Sequence, residues 1–354
     1  LTAVSHLVAS QYPTVLISPS ATSPALTTVV DSLGSGRPGL FWRTAPSDAF
    51  QGAKLATDVI GQYPVADCGS GMGGGGGGGG LAPVNKVAII HIKDAYGSGL
   101  ANVFFEHFVA PPREAEFVPF AQGDDLKTIV DDLLASNFKP DGFLIVAIDS
   151  KDTLSLVRAL SDYVLEPGQE HRMVYLTDGS KSDLLLAVDP VRDPNLHTVL
   201  FGRTVGTAPA SPDPNGALYK SFETSIEKEF SGVVASEHSF IAHTYDAAYV
   251  ASAGLVYAMT KNPGSFTGEV VAEGMGLLSS SAMGAPQPGL GFADWPELKA
   301  AMQNVDPVVN IRGVTGELDF DESGETTANL EVWQPCAAVF CPGAVACFAQ
   351  VGTI

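Results

Sequence analysis

The sequence predicts an α/β protein of two lobes, each built on a mostly parallel sheet with helices packed against it. Three observations carry this. The chain has 354 residues, too many for one small core and suited to two domains of ordinary size. Strand and helix patterns alternate from Val87 to Gly202, the order that parallel βαβ units require. Polar loops follow the apolar strands, where the ligands of open α/β sheets bind.

The elements follow in order. Leu1, Val4 and Val8 recur at helical spacing and lead into the run Val15-Leu16-Ile17, so a helix precedes a strand. A hydroxyl-rich loop from Ser18 to Pro24 comes next, with a short helix from about Pro24 that ends in the glycines between Gly34 and Gly39. Leu40-Phe41-Trp42 reads as a strand, and Ser47 or Asp48 can cap a helix with Phe50, Leu55, Ala56, Val59 and Ile60 on its apolar face. Eight uninterrupted glycines, Gly73 to Gly80, can bury no side chain and are read as a loop without a functional role. The second lobe starts near Val84. It continues as strand 87–92, a turn at Tyr96 to Gly99, helix 100–108, helix 126–136, strand 142–148, helix 153–163, strand 173–177, helix 181–187 and strand 197–202. From Thr204 a Pro-rich linker gives way to helices 216–229, 240–259 and 297–303, which need a sheet to cover and so return to the first lobe. The stretch from Gly313 to Val332 then alternates as short strands around a turn at Asp319 to Gly324.

Composition excludes several classes. Lys and Arg number 19 against 39 Asp and Glu, a net charge of −20 that repels nucleic-acid phosphates and anionic membrane surfaces. No apolar run reaches the roughly 18 to 20 residues of a membrane span. Cys68 stands alone, while Cys336, Cys341 and Cys347 cluster at spacings that match neither a zinc site nor a redox motif. Four cysteines in a Gly- and Pro-rich acidic chain favour disulfides and an oxidising compartment. The Gly97-x-Gly99 turn lacks the third glycine of a dinucleotide fingerprint, Asn102 standing in its place. Asp319, Asp321 and Ser323 imitate the start of an EF-hand loop, but Leu330 replaces its bidentate carboxylate. His238 and His243 lie five apart, too far round a helix to share a metal, and read as surface or core residues. With no nucleophile elbow or phosphate loop, the chain calls for no catalytic residue, metal or cofactor. What stands out is polar groups just after strand ends: Ser20, Ala21 and Thr22 in one lobe, and Tyr96, Asp149 and Asp178 in the other.

Five segments carry a resemblance: Leu16 to Thr27, Phe41 to Asp48, Asp94 to Ala101, Thr244 to Ala248 and Gly313 to Asp321. In that order they resemble the type I periplasmic binding proteins, in particular the branched-chain amino-acid-binding group. The resemblance implies two Rossmann-like lobes joined by three crossovers, near 81–84, 202–207 and 310–314. Lobe 1 would comprise 1–82 and 205–312, and lobe 2 83–204 and 313–354. The group normally opens with about three strands and two helices ahead of the helix at Leu1, so the N-terminal part of lobe 1 is missing from this sequence.

The resemblance also implies roles. The loop Ser20 to Thr22 holds a ligand carboxylate through backbone N–H groups and a hydroxyl, Tyr96 contacts the ligand from the other lobe, and Asp178 holds its ammonium. Asp149 and Tyr245 are further candidates. Each has a plainer alternative: a helix cap for Ser20, Thr22 or Asp149, a turn-capping side chain for Asp178 beside Gly179, and core packing for Tyr96 or Tyr245. The function implied is an extracytoplasmic solute-binding protein, periplasmic or extracellular and lipid-anchored through a segment outside this sequence. It would clamp a small amino-acid-like ligand and present it to a membrane permease. The rival readings are a sensor domain for amides, aromatic acids or peptides, and an enzyme using the same cleft, for which no base and nucleophile can be named.

Overall fold

The structure, a computed structural model, describes residues 4, 13–62, 84–210, 213–337, 341 and 346–354. Apart from Val4, the helix expected from Leu1 to Val8 lies outside them, as do the glycine run and Cys68. The chain opens with β1 (Leu16–Ser18) and β2 (Phe41–Arg43), followed by α1 (Asp48–Lys54), which runs on through a wider π-helical turn, Leu55–Val59. Then come β3 (Lys86–Ile92), α2 (Ala95–Phe108), β4 (Glu114–Phe120), α3 (Leu126–Ala135), β5 (Gly142–Val146) and α4 (Ser150–Val164). β6 (Met173–Leu176) leads to α5 (Asp183–Leu186), α6 (Pro194–Gly202) and β7 (Thr204–Ala210). The helices α7 (Ala217–Glu229), α8 (Ile241–Lys261), α9 (Gly268–Gly276) and α10 (Trp295–Met302) follow. The short β8 (Arg312–Gly313) and β9 (Gly316–Glu317) precede β10 (Asn329–Ala337) and β11 (Ala346–Thr353). No helix among the described residues is long and apolar enough to cross a membrane.

Two compact units emerge: residues 1–47, 209–235 and 240–329 form unit 1, and residues 48–208, 236–239 and 330–354 form unit 2. Unit 2 holds a seven-stranded sheet in the order β11-β10-β7-β6-β5-β3-β4. Its strands from β3 to β7 pair in parallel, while β10 and β11 are antiparallel. Strand side chains alternate between faces, and both faces are apolar, as a covered parallel sheet demands. Ala88, Ile90 and Ile92 of β3 join Phe143 and Ile145 of β5 on the face covered by Val130 of α3 and Leu156 and Leu160 of α4. Val87 and Ile89 share the opposite face with Leu144 and Val146, under Phe104 and Phe108 of α2 and Leu55 and Val59. Each fully buried Leu, Ile, Val or Phe contributes about 1.5–3 kcal/mol by leaving water. In unit 1, Leu40 and Trp42 pack with Val250 and Tyr257 of α8, Met275 of α9, and Leu298 and Met302 of α10.

The strand-helix alternation, the parallel sheet and the cores follow the expected α/β pattern; besides the unexpected edge strand β4, there are four local differences. Residues 48–62, expected in lobe 1, belong to unit 2, because α1 lies on α2 so closely that a Cβ at Gly52 would meet Val103 Cγ1 at 2.9 Å. Residues 313–329, expected in lobe 2, belong to unit 1, where Val314 joins Tyr219 and Phe222 in one cluster. The segment 197–202, expected as a strand, is the body of α6: Pro194 stands in its first turn, and Leu196, Val199 and Leu200 bury one helical face. The strand comes just after it, and the supposed linker at Thr204 is fully buried β7.

The fourth difference concerns Tyr96 to Gly99. These residues form the first turn of α2 rather than a separate turn, because Asp94 caps the helix by accepting the Gly97 N–H at 2.7 Å. Gly97 is required there: a Cβ would lie 2.2 Å from the carbonyl oxygen of Ile92, a backbone atom that cannot turn away. Gly97→Ala is therefore expected to destabilise unit 2 by about 1–3 kcal/mol, read as a lower urea midpoint at unchanged slope; an unaltered midpoint would show that the helix start shifts freely.

Candidate functional site

In unit 2 the strand ends bring together two of the expected side chains. β6 delivers Thr177 and Asp178 from its carboxyl end, and the first turn of α2 delivers Tyr96 from beyond β3. The Tyr96 hydroxyl donates to Asp178 Oδ1 at 3.1 Å and lies 2.8 Å from Thr177 Oγ1. Gln51 of α1 is buried beside them and donates to the carbonyl and hydroxyl oxygens of Thr207 at 3.3 and 2.9 Å. The Asp178 carbonyl accepts from Ser239 Oγ at 2.9 Å, which fastens the segment just ahead of α8 to the end of β6.

Asp178 is 3% exposed and makes no ion pair among the described residues. Burial penalises its charged form and pushes its pKa up to about 6, although hydrogen bonds from Tyr96 and Gln51 pull the other way. The Tyr96 hydroxyl is held well above its ordinary value, first by burial and then by the neighbouring Asp178 charge. This cluster is an acceptor poised near neutrality, able to take a cation or a hydrogen-bond donor.

Asp149 plays another part. It is exposed and caps α4, accepting the N–H groups of Lys151 and Asp152, each at 2.9 Å, the plainer of its two expected roles. Tyr245 projects from α8 onto Phe222, with ring centroids 5.1 Å apart, and its hydroxyl meets that of Tyr249 at 3.4 Å.

In unit 1 the loop after β1 is braced from below. The Ser18 hydroxyl accepts the Ala21 N–H at 3.0 Å and the Ser20 N–H at 3.4 Å. Ser20 is exposed and Ala21 half-buried, whereas Thr22 is buried and its hydroxyl has no hydrogen-bond partner. Arg43, at the end of β2, is 0% exposed and supports the loop: its guanidinium donates to the carbonyls of Ala21 at 3.0 Å and Ser23 at 3.1 Å, to Thr27 Oγ1, and to Glu325 Oε1 at 2.6 Å. Next in the chain, Thr44 donates its N–H to the Ser18 carbonyl at 3.1 Å and its hydroxyl to the His243 carbonyl at 2.9 Å. The loop, the end of β2 and the start of α8 thus meet within a few bonds.

Several of these residues were passed over in the sequence. Arg43 and Asp246 lie inside the segments that carry the resemblance but offer no separate signal, because a buried charge is visible only once its partner is known. Asp246 accepts from the Val314 N–H at 2.9 Å and from the Thr315 N–H and hydroxyl at 2.9 and 2.6 Å, which clasps residues 314–315 to α8. Burial pushes its pKa up to about 7 against those three donors. The turn 321–325 is held by Asp321 Oδ1, which accepts from the N–H groups of Ser323 and Glu325. No group of three or more metal-binding side chains occurs among the described residues.

The Arg43–Glu325 pair is deeply buried, so removing one partner strands the other. Arg43→Met is expected to cost about 3–5 kcal/mol and to loosen the 20–23 loop, while Arg43→Met with Glu325→Met recovers much of that loss. Chemical unfolding of the two variants checks this, and equal stability of both would place the loop's support elsewhere.

Residues 83–335 match the family described as the receptor family ligand binding region. No curated protein sequence matches the chain. Among solved structures, the leucine-binding protein LivK of Thermotoga maritima aligns with a TM-score of 0.59 at 17% identity, over 96% of this chain and 73% of that one. The solute-binding protein of an R. palustris ABC transporter, solved with 4-hydroxybenzoate, aligns with a TM-score of 0.59 at 14% identity, over 96% and 72%. A Desulfitobacterium hafniense ABC transporter substrate-binding protein, solved with Leu, aligns at 0.53 and 17%, over 90% and 70%. The match over most of its length and the strand-helix order together make this chain a member of the receptor ligand-binding-region family, with the fold of type I periplasmic binding proteins.

Proposed function

We propose that the chain captures a small, amino-acid-like solute outside the cytoplasm and presents it to a membrane permease, without chemical turnover. The observation that carries this reading is the Asp178 cluster. A buried carboxylate with no cation of its own is expensive to keep ionised, and the ammonium of a ligand supplies the missing charge. Each charge-assisted hydrogen bond there contributes about 1.5–3 kcal/mol. Within unit 1, the Thr22 hydroxyl and the remaining polar atoms of the loop Ser20 to Thr22 suit a carboxylate. The Ala21 N–H already serves Ser18, so hydroxyls carry more of the contact than backbone donors. Tyr96 fixes the orientation of Asp178, and Tyr245 packs on Phe222.

Other features support the setting. Cys341 and Cys347 form a disulfide, and Cys336 is also disulfide-bonded, which suits an oxidising compartment. Relatives solved with leucine and with 4-hydroxybenzoate both share the fold, so an aromatic acid is the second ligand class to test. Such a ligand has no ammonium and would leave Asp178 protonated.

Isothermal titration of protein stripped of carried ligand decides between them. If an α-amino acid is the ligand, Asp178→Asn weakens it by roughly 10- to 150-fold, the equivalent of that one contact. The pH dependence has a definite sign. Because the folded-state pKa of Asp178 is raised to about 6, the ligand-free protein loses stability as pH climbs from the ordinary carboxylate range through 6, where the buried group ionises. Ligand affinity runs the opposite way, falling as pH drops below about 6 and Asp178 takes up a proton, and Asp178→Asn flattens that fall. Tight binding of 4-hydroxybenzoate that is indifferent to Asp178→Asn would sink the ammonium role and leave the aromatic-acid reading in its place.

A further inference from the structure

We propose that the N-terminal turn of α8, with His243 on its lip, is an anion subsite that selects ligands carrying a second acidic group. The inference rests on the solute-binding reading above and names the class of solute.

α8 has 21 residues, and the N–H groups of its first turn have no carbonyl partner within the helix. Such ends are usually closed by the side chain of Ser, Thr, Asp or Asn. Here the capping position is Phe240, held at φ 71°, and it provides no side-chain cap. The partial positive charge of the helix end is therefore uncompensated by the chain and favours an anion.

His243 supplies the second, independent observation. It is 2% exposed, and neither ring nitrogen has a hydrogen-bond partner. A buried polar group without a partner calls for a specific explanation. Its ring meets the Phe240 ring edge-on at 5.8 Å, so it lies back over the open end of the helix, the direction in which helical side chains lean. Thr44 bonds both the His243 carbonyl and the Ser18 carbonyl, so this end of α8 stands one residue away from the loop expected to hold the first carboxylate. A ligand whose first carboxylate sits on that loop extends its second acidic group toward His243.

Charges on the surrounding elements are already engaged. Arg43 of β2 is tied to Glu325, and Asp246, one helical turn along α8, is tied to Val314 and Thr315. Burial alone holds the His243 pKa down, to about 4, so the imidazole is neutral before binding. An arriving carboxylate accepts its N–H and favours the charged ring, and binding then takes up a proton from solution.

Titration calorimetry of the stripped chain with L-glutamate, L-aspartate, L-glutamine and L-leucine tests this, run at mildly acidic pH in two buffers of different ionisation enthalpy. The expected result is an acidic amino acid bound at least roughly tenfold more tightly than leucine or glutamine, with proton uptake in excess of the balance measured with leucine, which carries the release from Asp178 alone. His243→Asn and His243→Gln should abolish the uptake and most of the preference while leaving the affinity for leucine unchanged. The wild-type uptake is a readout in its own right should either variant fold poorly. Glutamine or leucine bound as tightly as glutamate, or glutamate bound with the same proton balance as leucine, overturns the subsite while the solute-binding reading stands. If no amino acid binds at all, the solute reading falls, and this inference falls with it.

Discussion

A parallel sheet covered on both faces leaves its strands no polar positions except at their ends, and that constraint governs where this protein can do anything. In β3, β5 and β6 the side chains on both faces are apolar and out of water, apart from Lys86 and His91 toward the two ends of β3. Polarity is therefore displaced to the residues that follow each strand: Asp94 after β3, Asp149 after β5, Thr177 and Asp178 after β6. Three of these carboxylates stand at equivalent places, and the local chain decides their work. Asp94 and Asp149 each precede a full helix and are consumed as caps. Asp178 opens a single 3₁₀ turn, and its carboxylate accepts from that turn and also from the side chains of Tyr96 and Gln51.

That distinction also explains what could be read in advance. The alternation of apolar strands with amphipathic helices is a periodicity signal, so β3, β5, β6 and α4 were legible from residue spacing alone. The segment 194–210 was not, because His197 to Gly202 is apolar enough to pass for a buried strand, and only the Asp193-Pro194 start marks it as helix. The edge strand β4 was missed for a related reason. Half of it faces water, Pro119 interrupts it, and proline is tolerated only at such an edge.

Among the candidate site residues, legibility followed chemistry rather than position. Tyr96 and Asp178 could be paired because one resemblance pointed to both, and the structure sets them within hydrogen-bond distance. Asp149, equally well placed after a strand, turned out to be spent on its own helix, a role that depends on two backbone N–H groups and so on geometry. The supporting layer of Arg43, Thr44 and Asp246 was invisible, since each acts through partners up to 282 residues away in sequence.

The two buried aspartates show why burial alone does not identify a binding group. Both are pushed upward in pKa by loss of water, Asp178 to about 6 and Asp246 to about 7. Yet Asp246 receives three donors from Val314 and Thr315, filling both oxygens from the chain itself. Such a group is complete, and its work is to hold residues 314–315 against α8. Asp178 receives the hydroxyl of Tyr96, a donor that orients one oxygen without supplying a positive charge. Neither carboxylate has an ion-pair partner among the described residues; they differ in what their donors do, those of Asp246 tying two segments of unit 1 together and those of Asp178 gathering Tyr96, Gln51 and the turn after β6 at one strand end.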